Sequence, residues 1–237
     1  MDGFSYHDIF ATKGIEYLII ITFLVLLIPF WIVLNKQKEI GRKIQKAFGF
    51  LSASILKVPQ GLFYSKNHTW MYMEQSGSAK VGLSDLLLHI TGEVKFCNHK
   101  NPGDMVLKGE LLTEIDQNGK LLKILSPVSG KIMNLNSTIN ENPGMLNEDP
   151  YGKGWIFKIK PSNWIAETKA CYFAEEATTW SATELERFKD FLAISMKNYS
   201  AEPAMVILQD GGELSDHSLS AYSDEIWKDF EKEFLVL

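Results

Sequence analysis

Two cysteines, three well-separated histidines and one lysine beside a tight turn are the residues here whose types suggest chemistry. Cys97 and Cys171 form no Cys-x-x-Cys pair and flank no histidine cluster, so no zinc site is expected. They read as reduced, buried thiols, too few for a secreted disulfide framework. His68, His89 and His99 stand at no ligand spacing from cysteine or carboxylate, so no metal is expected. No glycine-rich phosphate loop follows a strand, and no Gly-x-Ser-x-Gly elbow occurs. No carboxylate pair has separable acid and base roles, so no catalytic residues are assigned. The lysine is different. Asn118-Gly119 lies between EID and KLLKIL, the strongest short-range signal for a hairpin with a two-residue type I′ turn. Lys120 then begins the return strand. Its plainest role is that of a solvated edge lysine, which discourages strand-to-strand aggregation. Lys123, further along, is a poorer candidate for chemistry.

These residues must be positioned by a chain of 237 residues, 46% hydrophobic, with a formal net charge of −5. The negative balance and the scattered aromatics argue against a nucleic-acid partner. The hydrophobic share is uneven. Tyr17 to Leu34 reads YLIIITFLVLLIPFWIVL, without a charge, and just meets the roughly 20 residues that cross a bilayer as a helix. Pro29 is tolerable there, and Tyr17 and Trp31 sit near opposite ends as interfacial aromatics do. A cleaved signal peptide would want a basic start and a small-residue cleavage site, and neither is present. Lys36, Lys38, Arg42, Lys43 and Lys46 follow the span, whereas Lys13 alone precedes it. The side rich in Lys and Arg stays in the cytoplasm. The expectation is therefore a single-pass protein of the cytoplasmic (inner) membrane, with its N-terminus outside and its C-terminal domain in the cytoplasm. Residues 36–57 read as a basic juxtamembrane linker or helix, with Ile40, Ile44, Ala47 and Phe48 at helical spacing.

From Val58 onward, short apolar stretches alternate with turn signals: Ser76-Gly77, Asn101-Pro102-Gly103-Asp104, Asn118-Gly119, Ser129-Gly130 and Asn142-Pro143-Gly144. That texture predicts a small, mostly β domain. After Trp164 the chain turns acidic, with fifteen Asp/Glu against six Lys/Arg over 165–237. Ser181 or Thr183 is expected to cap a helix through Tyr199, with Leu185, Phe188, Leu192 and Met196 on one face. Ala204 to Gln209 reads as a short buried strand. Ser223 is expected to cap a last helix with Ile226, Trp227, Phe230 and Phe234 apolar.

Five ordered segments carry a family resemblance: VPQGLFYSKNHTWMYME (58–74), AKVGLSDLLLHITGEV (79–94), NPGDMVLKGELL (101–112), SPVSGKIMNLN (126–136) and NENPGMLNEDPYGKGWIFKIKPSNW (140–164). Together they resemble the glycine cleavage system H protein over about 110 residues. The resemblance implies a mainly β fold with flanking helices (α+β). Its core is the lipoyl/biotinyl-carrier β-sandwich, a barrel-sandwich hybrid, here joined to an N-terminal transmembrane helix and an α/β C-terminal extension. The expected organisation is 1–35 for the N-terminal segment and its span (about 15–34), 36–57 for the linker, 58–166 for the H-protein-like domain and 167–237 for the acidic extension.

The resemblance also implies lipoate, carried on a hairpin lysine eight residues before the proline of the Pro-Val-Ser-Gly strand. In this chain Gly119 occupies that position, and a lysine, Lys120, comes one place later. A shift by one residue turns a strand side chain to the opposite face. Glu114, Asp116 and Asn118 supply the hairpin context. Two readings follow. The first is a docking or assembly protein without an active site, tethered to the cytoplasmic membrane face and bound to other subunits, with lipoylation lost or altered. The alternative is a working carrier, lipoylated at Lys120, that serves the glycine cleavage enzymes.

Overall fold

The computed structural model describes residues 13–47, 50–199 and 214–236, so the expected strand over 204–209 lies outside the described residues. The chain divides into two units at Phe48/Gly49. The first is helix α1, Lys13–Ala47. Its Gly14–Trp31 stretch is long and apolar enough to cross a membrane. Side chains there are exposed throughout, and the polar Thr22 hydroxyl donates to the Leu18 carbonyl at 2.7 Å. Pro29 sits inside the helix without ending it.

The second unit begins with β1 (Phe50–Leu51), β2 (Phe63–Tyr64), β3 (Thr69–Met73), β4 (Ala79–Leu83) and α2 (Asp85–Thr91). It continues with β5 (Lys95–Asn98), β6 (Met105–Val106), β7 (Leu111–Gln117), β8 (Lys120–Leu125) and β9 (Gly130–Leu135). Next come α3 (Thr138–Glu141), α4 (Met145–Glu148), β10 (Trp155–Pro161), α5 (Trp164–Thr168), β11 (Tyr172–Phe173) and α6 (Ala174–Tyr199). The described chain ends with β12 (Leu214–Ser215), a 3-10 turn at Ser218–Ala221, α7 (Asp224–Phe230) and a π turn at Glu231–Leu235.

A seven-stranded sheet in the order β11-β2-β3-β4-β10-β9-β6 faces a three-stranded sheet, β5-β7-β8, and β1 pairs with β12. Each strand pairing is antiparallel. This is the lipoyl-type β-sandwich with flanking helices. One core joins Met71, Val81, Ile132 and Ile159 of the large sheet to Leu112, Ile115, Leu122 and Ile124 of the small one. Helix α2 starts where Ser84 Oγ accepts the Leu87 N–H at 3.3 Å and stops at Gly92, whose φ is 78°. Capping of this kind stabilises a helix by about 1 kcal/mol.

The C-terminal extension shares that core. Leu185, Phe188 and Leu192 of α6, Ile226, Trp227 and Phe230 of α7, and Phe234 all belong to it. Helix α6 begins earlier than the capping signals suggested. It starts at Ala174, directly after β11, with Glu175 and Glu176 in its first turn. Ser181 is buried within the helix, and the Thr183 hydroxyl donates to the Thr179 carbonyl one turn back. A capping residue and a mid-helix residue of the same type look alike in sequence.

Candidate functional site

The site the sequence singled out is the tip of the β7–β8 hairpin. Asn118 and Gly119 both adopt left-handed backbone, with φ of 54° and 89°, as a type I′ turn requires. Asp116 Oδ1 accepts the Gly119 N–H at 2.7 Å and closes the turn. Gln117 pairs with Lys120, Asp116 with Leu121 and Glu114 with Lys123. Among the described residues nothing lies within 4 Å of where a Gly119 side chain would begin, so the turn is open on that side.

Strand alternation decides where Lys120 goes. It shares a face with Leu122 and Ile124, both buried, whereas Leu121 on the other face is exposed. The Lys120 ammonium donates to the Tyr222 carbonyl and lies 5.6 Å from the centroid of the buried Trp227 ring. Beside it, the Gln117 side-chain amide donates to the Thr91 carbonyl. Lys123 Nζ stands 3.8 Å from Glu231 Oε1. Both hairpin lysines thus contact the C-terminal extension. Glu114 is engaged elsewhere, accepting from His99 Nε2 at 2.9 Å. The structure therefore gathers Asp116, Asn118 and Gly119 into the turn but does not bring Glu114 and Asp116 to Lys120. Tyr222 and Trp227 were missed as neighbours of Lys120, since no local signal reaches across more than a hundred positions.

Each histidine that looked unpaired in sequence has a carboxylate in space. His68 is buried, with Nδ1 at 3.3 Å from Ser84 Oγ and Nε2 at 3.5 Å from Glu184 Oε2, a contact too long to be a strong hydrogen bond. His89 Nδ1 meets Asp216 Oδ1 at 2.8 Å, and its Nε2 lies 3.5 Å from Asp85 Oδ2. Burial alone would lower the His89 pKa, but these two carboxylates outweigh it and raise it to about 9. Burial likewise works against ionised Asp216, yet the imidazolium beside it holds its pKa below the usual carboxylate range. Among the described residues no group of three or more His, Cys, Asp or Glu is arranged to hold a metal ion. The two thiols are free and, against expectation, neither is fully buried. Cys97 is exposed, on edge strand β5, and Cys171 is half-buried, where burial pushes its pKa up.

With this geometry in place, comparison with known proteins is informative. The family model for the glycine cleavage H-protein matches residues 62–183, about half of the chain. The chain belongs to the glycine cleavage H-protein family. A probable glycine cleavage system H protein of Pyrococcus abyssi is 36% identical over 120 residues, covering 51% of this chain and 89% of that protein. The glycine cleavage system H protein of Psychrobacter cryohalolentis is 30% identical over 119 residues, covering 50% of this chain and 94% of the other. The crystal structure of a Mycobacterium marinum H protein aligns with a TM-score of 0.41 at 24% identity, covering 44% of this chain and 87% of that one. The matched region contains the whole β7–β8 hairpin and stops within α6. Helix α1, β12 and α7 all lie outside it.

Proposed function

We propose that this H-family chain is a membrane-anchored, non-catalytic docking or assembly subunit of a complex on the cytoplasmic membrane face, in which lipoyl attachment has been lost or altered. The observation that carries the reading is the state of the hairpin. Proteins of this family carry lipoate on a lysine amine that a ligase must reach and that must then swing between enzymes. Here the apex residue is Gly119, and the neighbouring Lys120 amine is held by the Tyr222 carbonyl and covered by Trp227. Acylating that amine would remove its charge and break its contacts with the Tyr222 carbonyl and with Trp227, which is anchored beside Ile226 and Phe230 in the core. The residues present do not fit lipoate as a swinging arm.

The anchor reading rests on the exposed apolar stretch Gly14–Trp31 and on the excess of Lys and Arg after it. An exposed apolar helix of this length is costly in water and stable in a bilayer, where its backbone groups are satisfied internally. The positive residues that follow favour a cytoplasmic location for the rest of the chain. Partners are then integral membrane subunits and the lipid itself.

Peptide-level mass spectrometry of the protein from its native membrane is the test. The expected result is an unmodified Lys120 peptide from cells whose other lipoyl proteins are modified, with co-purification of integral membrane subunits in detergent. A lipoyl adduct on Lys120 would overturn the reading and make the chain a membrane-bound carrier. Release of the chain by alkaline carbonate would overturn the anchor.

A further inference from the structure

The outer face of the seven-stranded sheet is used in two ways. At one end Trp70 lies flat over Gly82, where an added Cβ would fall 2.5 Å from the indole. Tyr64 and Trp180 seal that end into a second, smaller aromatic core. At the other end no described residue covers the same face. Register places Tyr72 beside Lys80 and Lys80 beside Lys158. One row further on, Lys160 lies beside Lys131, and Lys131 beside Met105. Their sequence neighbours Met71, Ala79, Ile159 and Ile132 point the other way and are fully buried, so the four lysines share one outward face.

The charge on this face is poorly balanced. Glu74 stands 3.3 Å from Lys80 and 3.2 Å from Lys158. Among the described residues Lys131 and Lys160 have no carboxylate within ion-pair distance, on a chain whose net charge is −5. Between and beside the lysines, Tyr72, Met105 and Met133 are exposed.

We infer that this face rests on anionic lipid headgroups, with the lysines against phosphates and Tyr72, Met105 and Met133 at the boundary of the acyl region. The inference rests on the anchor reading, which keeps the domain at high local concentration near a bilayer. Four lysines and no arginine fork suit the diffuse charge of a headgroup layer better than the paired carboxylates of one protein. Exposed apolar side chains among the cations are the composition of surfaces that lie in a membrane interface.

The full chain reconstituted into nanodiscs tests this, by acetylating lysines and reading each rate by mass spectrometry. Discs of phosphatidylcholine alone are compared with discs that also contain phosphatidylglycerol. Acetylation of Lys131 and Lys160 should slow about fivefold in the anionic discs, as expected for roughly one lysine's worth of headgroup attraction. High salt should abolish the difference, and exposed Lys95, on the other sheet, should not respond. The double variant Lys131→Glu/Lys160→Glu should remove protection from Lys80 and Lys158 as well. Equal rates in both kinds of disc would overturn the inference. So would protection by added polyglutamate in neutral discs with none from phosphatidylglycerol, which would assign the face to an acidic protein. Failure of the chain to enter discs would sink the anchor instead. Co-sedimentation with phosphatidylglycerol vesicles then reads the face by itself, binding supporting it and no binding overturning it.

Discussion

Gly130 stands in a family-like segment and Gly119 in the hairpin between two of them, and the space around the two glycines differs completely. At the pairing of β9 with β10, a side chain on Gly130 would run into the Lys160 carbonyl and come within 2.9 Å of Ile159 Cγ2. At the hairpin tip, a side chain on Gly119 would meet nothing within 4 Å. Packing therefore dictates glycine at the first place. At the second, only backbone conformation favours it, and a lysine would fit sterically. Glycine at 119 is thus not forced by crowding. What distinguishes this hairpin is the underside, where the C-terminal extension takes up the Lys120 amine.

The comparison can be broken most forcefully at that underside. Trp227 is almost fully buried and covers Lys120. Trp227→Ala should cost about 4 kcal/mol in urea unfolding, from lost burial and the cavity left behind. Added lipoyl ligase should then label Lys120 faster than in the parent chain, and an unchanged rate would show that α7 does not shield the amine. Next comes the crowded glycine. Gly130→Ala should destabilise by about 3 kcal/mol through overpacking against backbone that cannot move aside. A loss near zero in the same unfolding assay would show that β9 and β10 can separate freely.

A third prediction concerns how the extension is held at α2, where Asp216 follows β12. His89 is protonated in both folded and unfolded chain below its ordinary pKa of 6.5, so its pairing with Asp216 and Asp85 contributes fully there. As pH rises from 6.5 through about 9, the unfolded chain has released the proton and the folded chain gives it up last, so stability falls. Asp216 is the same interaction seen from the other side, lost as pH drops below the usual carboxylate range. Unfolding free energies from urea titrations between pH 6 and 10 should decline by about 2 kcal/mol in the parent, and His89→Gln should flatten that decline. The smallest effect belongs to the open tip. Gly119→Ala should cost only about 1 kcal/mol, for a left-handed residue with no clash. Gly119→Lys, at similar cost, places an amine at the apex, where lipoyl ligase should modify it. Failure to label that lysine would mean that an amine at this apex is not enough for ligase recognition.

Much of this was legible in the sequence. The uncharged run from Tyr17 to Leu34, the Asn118-Gly119 turn and the apolar face of α7 are local patterns, and local patterns survive in one dimension. The five family-like segments carried the sandwich, which spacing alone would have left as a small β domain. Helix α6 was placed but began too late, because Ser181 and Thr183 offer the same hydroxyl whether they cap a helix or lie within it. The basic sheet face went unread, since Lys80, Lys131, Lys158 and Lys160 come from three strands that only register brings side by side.

By itself the sequence determined that Lys120 follows the two-residue Asn118-Gly119 turn, and the resemblance implies a family lysine one place earlier. Strand geometry converts that single place into a change of face. Tertiary structure alone decided what the face meets: Tyr222 and Trp227, about a hundred residues away. The same holds for His89, whose partner Asp216 lies 127 positions downstream. Turns and apolar spans are set by neighbours along the chain, whereas the fate of an amine or an imidazole is set by what packing brings against it.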